Sequence, residues 1–249
     1  MGVELEQKEI KLIALDMDGT LLNDEMEISP KNRLAIREAQ EKGVHVVLST
    51  GRSLLTCRDY AKSLELKSYL ITVNGSEIYD GEGNLVERNS LHNDEIAKLI
   101  EMTKKHSAKF WAVSTDKVWR ENFPENAAEM EWLKFGFNIA DDEVRKLVLE
   151  ELALNKELEI SNSSLTNIEI NAVGVTKAKA LNRVCNELGI TMDNVMAMGD
   201  SLNDILMITE AGIGVAMGNA QDTVKEAADW ITGTNVEDGV AQAIRKWAL

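Results

Sequence analysis

The sequence is short of sulfur, of positive charge and of long apolar runs. Its 249 residues hold two cysteines, Cys57 and Cys185, in segments whose pattern predicts helices. Two widely separated thiols do not make the disulfide framework of a small secreted domain. No apolar run approaches the roughly 20 residues needed to span a bilayer, and no basic-then-apolar leader opens the chain. A reducing cytoplasm is therefore the expected setting. Subtracting 42 acidic from 27 basic residues gives a formal charge of -15, which argues against binding to nucleic acid or to an anionic membrane. A small anionic ligand would need a local cation. Histidine is scarce too, and His45, His92 and His106 show no metal-ligand spacing. The tripeptides Asn74-Gly75-Ser76 and Asn162-Ser163-Ser164 match a glycosylation acceptor but, with no secretion signal, read as ordinary polar turns.

What remains is an ordinary globular composition, 44% hydrophobic and 28% charged, for which folding is the expected state. Against a soft rule of ~150 residues per domain, the length suits one large domain or two modest ones. Residues 1–9 read as a polar tail. The first third then alternates apolar runs with amphipathic stretches, IKLIALD, SPKNRLAIREAQEKG, VHVVLST, RSLLTCRDYAKSLEL and SYLITVNG, which predicts a parallel sheet covered by helices on both faces. Ser29-Pro30 starts one helix and Gly43 stops it. The last third repeats this rhythm. Residues 80–173 differ. The turn-rich DGEGN lies between the hairpin arms EIYD and LVERN, a helix follows from Asp94 to His106, and FWAVST and KVWRENF form a second hairpin. Helices are expected over 126–135 and 141–154, then the strands LEISNS and NIEINAV. This pattern predicts an inserted α+β domain with an antiparallel sheet. The core is expected over 1–79 and 174–249, giving an α/β, Rossmann-like three-layer fold overall.

The stretch LIALDMDGTLL is an apolar strand that ends in two carboxylates, Asp16 and Asp18. Alternation along an extended chain points both to one side, where at ~4 Å and an effective dielectric of ~20 their repulsion costs about 4 kcal/mol. Something positive must sit there, or water must solvate the pair. Open parallel sheets bind ligands at the carboxyl ends of their strands. Those ends are Asp16 and Asp18, Ser49-Thr50-Gly51-Arg52, Asn74-Gly75, and Gly199-Asp200-Ser201 with Asn203 and Asp204 beyond. Four carboxylates in one crevice suit a hard cation, and magnesium prefers a few carboxylates completed by water and phosphate oxygens. A calcium loop is excluded because Gly19 comes too early.

These four segments resemble, in order, the motifs of the haloacid dehalogenase superfamily of phosphatases: DMDGT from Asp16, Thr50 in STGR, Lys177 in GVTKAKAL, and GDSLND from Gly199 to Asp204. The long insert between the second and third motifs is similar to the class II cap of the Cof-type branch. The resemblance implies that Asp16 is the nucleophile forming an aspartyl-phosphate and that Asp18 is the general acid and base. It implies magnesium held by the Asp16 side chain, the Asp18 carbonyl and Asp200, with Asp204 nearby or acting through water. It further implies phosphoryl oxygens held by Thr50, Lys177 and Asn203, with backbone amides near Met17 and Gly51 and with Arg52 as further donors.

The expected partner is a small phosphorylated metabolite, a sugar phosphate or a phosphoglycolate-like acid. A phosphomutase of the phosphomannomutase kind and a silent sugar-phosphate-binding protein are the alternatives, and the oligomeric state is left open. Asn74-Gly75 reads equally as a turn into the insert, Asn235-Val236-Glu237-Asp238-Gly239 as a structural loop, and Trp119 and Arg120 chiefly as packing, with a possible ligand-facing role.

Overall fold

The computed structural model describes residues 9–249; residues 1–8 of the expected polar tail lie outside the described residues. The first third holds β1 (Leu12–Leu15), α1 (Pro30–Glu41), β2 (His45–Ser49), α2 (Leu54–Ser63), β3 (Leu70–Thr72), β4 (Glu77–Tyr79) and β5 (Leu85–Arg88). The middle holds α3 (Asn93–His106), β6 (Lys109–Ser114), β7 (Val118–Arg120), β8 (Trp132–Asn138), α4 (Asp142–Leu152), β9 (Leu158–Ser161) and β10 (Asn167–Ala172). The last third holds α5 (Lys177–Leu188), β11 (Val195–Gly199), α6 (Ile205–Glu210), β12 (Ile213–Ala216), α7 (Asp222–Ala227), β13 (Trp230–Ile231) and α8 (Gly239–Trp247).

Eight strands form one sheet in the order β13-β12-β11-β1-β2-β3-β4-β5. It is parallel from β13 to β3, and its last three strands are antiparallel. The fully buried LIAL run explains why β1 is central: residues buried on both faces need cover on both. Ile13 and Leu15 pack with Ile36 and Ala39 of α1 and Val240 and Ile244 of α8. Leu12 and Ala14 face the other way, onto Ala178, Leu181 and Val184 of α5. Capping fixes the helix starts. Ser29 Oγ accepts from the Asn32 amide at 3.1 Å and Thr176 Oγ1 from the Lys179 amide at 3.1 Å.

A separate five-stranded antiparallel sheet, ordered β7-β6-β8-β10-β9, occupies the middle of the chain. One face packs Phe135, Phe137, Ile168 and Ile170 against Ile96 and Leu99 of α3 and Val148 and Leu152 of α4. Two expectations need correction here. The helix expected over 126–135 is a single 3-10 turn, Ala127–Glu129, followed by β8, the middle strand of this sheet. Six of the seven residues of β8 are buried, so the strand carries no polar alternation to reveal it. The boundary expected at residue 80 falls inside the β4–β5 hairpin, whose second arm pairs in the eight-stranded sheet. Among the described residues no helix is long and apolar enough to cross a membrane, and both cysteines are buried and free.

Candidate active site

The strand ends of the large sheet meet as the topology requires. β1 stops at Leu15, so Asp16 and Asp18 are not two alternate residues of one strand as expected. Met17 is buried in the core, and its carbonyl accepts from the Leu22 amide at 2.9 Å, which turns the chain. The two carboxylates thereby separate, each to its own cation. Asp16 Oδ1 accepts from Lys177 Nζ at 2.6 Å, and both residues are buried. Asp18, with its side chain 51% exposed, accepts twice from Arg52, from Nε at 2.7 Å and from Nη2 at 2.6 Å.

Lys177, the first residue of α5, also donates to Asp204 Oδ1 at 2.7 Å. Burial opposes its charge, but Asp16 and Asp204 outweigh that and hold its pKa above the usual lysine value. The other oxygen of Asp204 accepts from the backbone amides of Asp200 and Ser201 at 3.0 and 3.1 Å, tying down the loop after β11. Asp200 accepts from the Ser201 hydroxyl at 3.0 Å. Carboxylate oxygens of Asp16, Asp200 and Asp204 all lie within 4.8 Å of one another.

Burial, then the neighbouring carboxylates, push Asp16 well above the ordinary carboxyl range against the pull of Lys177. Burial and Asp204 raise Asp200 to about 7. A group of hard oxygen donors with one ammonium among three carboxyls fits a divalent cation. Gly19 completes the cradle: its φ is +79°, and a Cβ there would stand 2.5 Å from Asp200 Oδ2.

A cavity of about 220 Å³ opens onto these groups, lined by Asp16, Asp18, Gly51, Arg52, Asp200, Ser201 and Asn203. Its far wall, Lys134, Ser163 and Glu169, comes from the middle segment. A larger cleft of about 680 Å³, between α3 and α4, contains none of these residues. Thr50, between Ser49 and the cavity-lining Gly51, is buried, its hydroxyl accepting from the Arg52 amide at 3.2 Å.

Lys134, Ser163 and Glu169 escaped the sequence reading. The only signal was a lysine and a glutamate inside the otherwise apolar runs WLKFGF and NIEINA. Asn74 does more than turn the chain. With φ at 60° it donates to Glu169 Oε2 at 2.6 Å and accepts from Asn203 Nδ2 at 3.2 Å. Trp119 and Arg120 do not line the cavity; Trp119 Nε1 donates to Ser114 Oγ at 3.0 Å and its ring lies under Lys117. Asp238, in the loop read as structural, starts α8 at φ 60° and accepts from Ser29 and Lys31.

A family model described as haloacid dehalogenase-like hydrolase matches residues 13–149 and 126–244. The chain belongs to the haloacid dehalogenase-like hydrolases. Over 249 residues, all of both chains, this hydrolase is 65% identical to 5-amino-6-(5-phospho-D-ribitylamino)uracil phosphatase YcsE of Bacillus subtilis (strain 168). It is 31% identical to the phosphoglycolate phosphatase of Methanobrevibacter smithii (strain ATCC 35061 / DSM 861 / OCM 144 / PS), with 96% of this chain and 99% of the relative covered. Its fold superposes on a solved haloacid dehalogenase-like hydrolase from B. subtilis with a TM-score of 0.88 at 26% identity, over 95% of this chain and 99% of the other. The haloacid dehalogenase-like hydrolase described here is a phosphatase of the Cof-type branch, a phosphoric monoester hydrolase.

Proposed function

We propose that this phosphatase hydrolyses small phosphorylated metabolites through a covalent phosphoryl group on Asp16, and that its substrate is a phosphorylated polyol of the 5-amino-6-(5-phospho-D-ribitylamino)uracil kind. The observation that carries the mechanism is the buried Asp16–Lys177 contact of 2.6 Å beside a cavity with a polar far wall. A carboxylate oxygen of Asp16 attacks phosphorus and the ester P–O bond breaks, which splits the reaction into two easier steps. Asp18 gives its proton to the departing alkoxide. The Asp18 carboxylate then takes a proton from water, whose oxygen attacks phosphorus, and orthophosphate leaves as the Asp16 carboxylate is restored.

Asp18 can do this only when it is free of Arg52, to which it is bonded twice. Lys177 neutralises and orients Asp16 and, with Thr50, Asn203, Arg52 and the amides near Met17 and Gly51, supplies the positioning and charge that dominate phosphoryl transfer. Magnesium would be held by Asp16, Asp200 and the Asp18 carbonyl, with Asp204 beside them. When bound, it supplies positive charge to the phosphoryl oxygens and to the carboxylates that Lys177 leaves uncompensated.

The segment from α3 to β10, which carries the five-stranded sheet, acts as the cap in this reading, excluding water and contacting the leaving group. Substrate choice is supported by the 65% identity across the whole chain to the ribitylaminouracil phosphatase. The test is phosphate release from that compound, from simpler sugar and polyol phosphates, and from phosphoglycolate. The highest kcat/KM is expected for the ribityl compound without any bisphosphate activator. A bisphosphate requirement with no phosphate release would point to a mutase instead.

A further inference from the structure

The phosphoryl machinery named so far lies outside the middle segment, yet two buried charges of that segment reach into it. β8 and β10 are antiparallel neighbours with Glu169 opposite Gly136, which brings Glu169 diagonally within reach of Lys134. Phe135 and Ile170 point to α3 and α4, so the alternate residues Lys134, Glu169 and Asn171 face the large sheet. Lys134 Nζ stands 3.3 Å from Glu169 Oε2, with both side chains at most 5% exposed. A pair so buried gains little stability over apolar residues of the same size. Its partners suggest another use.

Lys134 Nζ donates to the Gly51 carbonyl at 2.7 Å, in the loop after β2. Glu169 accepts from Asn74 Nδ2 at 2.6 Å and from Ser163 Oγ at 2.8 Å. An ionised carboxylate only accepts, so Asn74 must offer it the NH2. The Asn74 carbonyl oxygen then faces Asn203, and Asn203 must answer with its own NH2, at 3.2 Å. One N–H of Asn203 remains to donate elsewhere, while its carbonyl oxygen is buried with no hydrogen-bond partner. Gly51 sits at this junction: an added Cβ would meet Asn74 Oδ1 at 3.0 Å and Lys134 Nζ at 3.2 Å.

We propose that the Lys134–Glu169 pair completes the phosphate cradle: Lys134 pins the Thr50–Gly51–Arg52 loop, and Glu169, through Asn74, fixes the amide of Asn203 with its donor side available to phosphoryl oxygens. Both are positioning residues. The proposal rests on the reading of Thr50 and Asn203 as phosphoryl ligands. It makes the middle segment necessary for phosphoryl transfer itself, as well as for choosing the leaving group.

Glu169→Gln gives a test by sign. Removing a negative charge from the wall of a phosphate site should tighten phosphate binding if the charge acts directly. A neutral glutamine accepts more weakly than the carboxylate, so the Asn74 amide is left to its longer 3.3 Å bond to Asn171 Oδ1, Asn203 is held less firmly, and phosphate binds more weakly. The full-length protein is assayed with p-nitrophenyl phosphate, with inorganic phosphate as competitive inhibitor. Inorganic phosphate has no leaving group, so altered selectivity cannot change its inhibition.

Glu169→Gln is expected to weaken that inhibition by ~10-fold, the scale of one lost charge-assisted hydrogen bond, and to lower kcat in a protein that is less stable but still folded, as its cooperative thermal transition shows. Lys134→Met should do the same, and Lys134→Arg should recover part of the loss. If a single variant misfolds because it strands a charge, Lys134→Met with Glu169→Gln removes both and must show the same weakening. Unchanged or tighter phosphate inhibition in a folded Glu169→Gln or double variant overturns the proposal. Asn203→Ala separates the two layers. If it weakens inhibition and Glu169→Gln does not, the proposal falls while the reading of Asn203 as a phosphoryl ligand stands; if Asn203→Ala itself has no effect, that reading falls and the proposal with it.

Discussion

Lys177 Nζ lies 2.6 Å from Asp16 Oδ1, a contact between buried side chains 161 positions apart. The same ammonium reaches Asp204 at 2.7 Å. Lys177→Met would leave two buried carboxylates without their cation, and breaking a buried pair by deleting one partner costs about 3–5 kcal/mol. Urea unfolding at neutral pH should register a loss of that size, and phosphate release should vanish. A variant with wild-type stability and turnover would mean that Lys177 neither holds the site together nor prepares Asp16.

The metal reading follows from the oxygens of Asp16, Asp200 and Asp204 lying within 4.8 Å of one another. Activity should disappear with a chelator and return with magnesium. Calcium should suppress it, because its larger and less octahedral coordination misplaces the carboxylate and the phosphate. Asp200→Asn should raise the magnesium concentration needed for half activity. Full turnover in thoroughly metal-free protein would contradict this assignment.

Glu169 predicts an acid sensitivity. Burial would raise its pKa, but Lys134, Asn74 and Ser163 more than offset that and hold it below its ordinary value of 4.5. A depressed folded-state pKa means that the unfolded chain takes up the proton first as pH falls. The stability Glu169 contributes is therefore fully present above about pH 4.5 and is lost as pH drops through the lower folded-state value. The stability gap between the wild type and Glu169→Gln should be constant from pH 6 to 8 and narrow in acid below ~4.5. A gap that widens in acid would mean that Glu169 is not held ionised by these partners.

How much of this was legible depends on sequence distance. β1 and the position of Asp16 follow from one local pattern, an apolar run that ends in a carboxylate, and the ends of α1 at Ser29-Pro30 and Gly43 follow from capping chemistry. The partners of Asp16 and Asp18 were not legible. Which cation meets which carboxylate is decided by the turn at Met17, which breaks the alternation expected of a longer strand. β8 was hidden because nearly all of it is buried and the residues before it, Asn126 to Met130, mix alanine and glutamate as a helix would. Lys134 and Glu169 stand 35 positions apart and meet only through strand register, which no local window reports.

The central claim is that phosphorus is transferred to Asp16. The direct measurement is rapid quench of a turnover mixture in acid, followed by borohydride reduction, which converts an aspartyl-phosphate to homoserine, and peptide mass spectrometry across residues 12–22. The account predicts reduction at Asp16 alone, absent without substrate and absent in Asp16→Asn, whose phosphate release should also fall by at least ~10³-fold. Homoserine at another aspartate, or Asp16→Asn turning over near the wild-type rate, would contradict it.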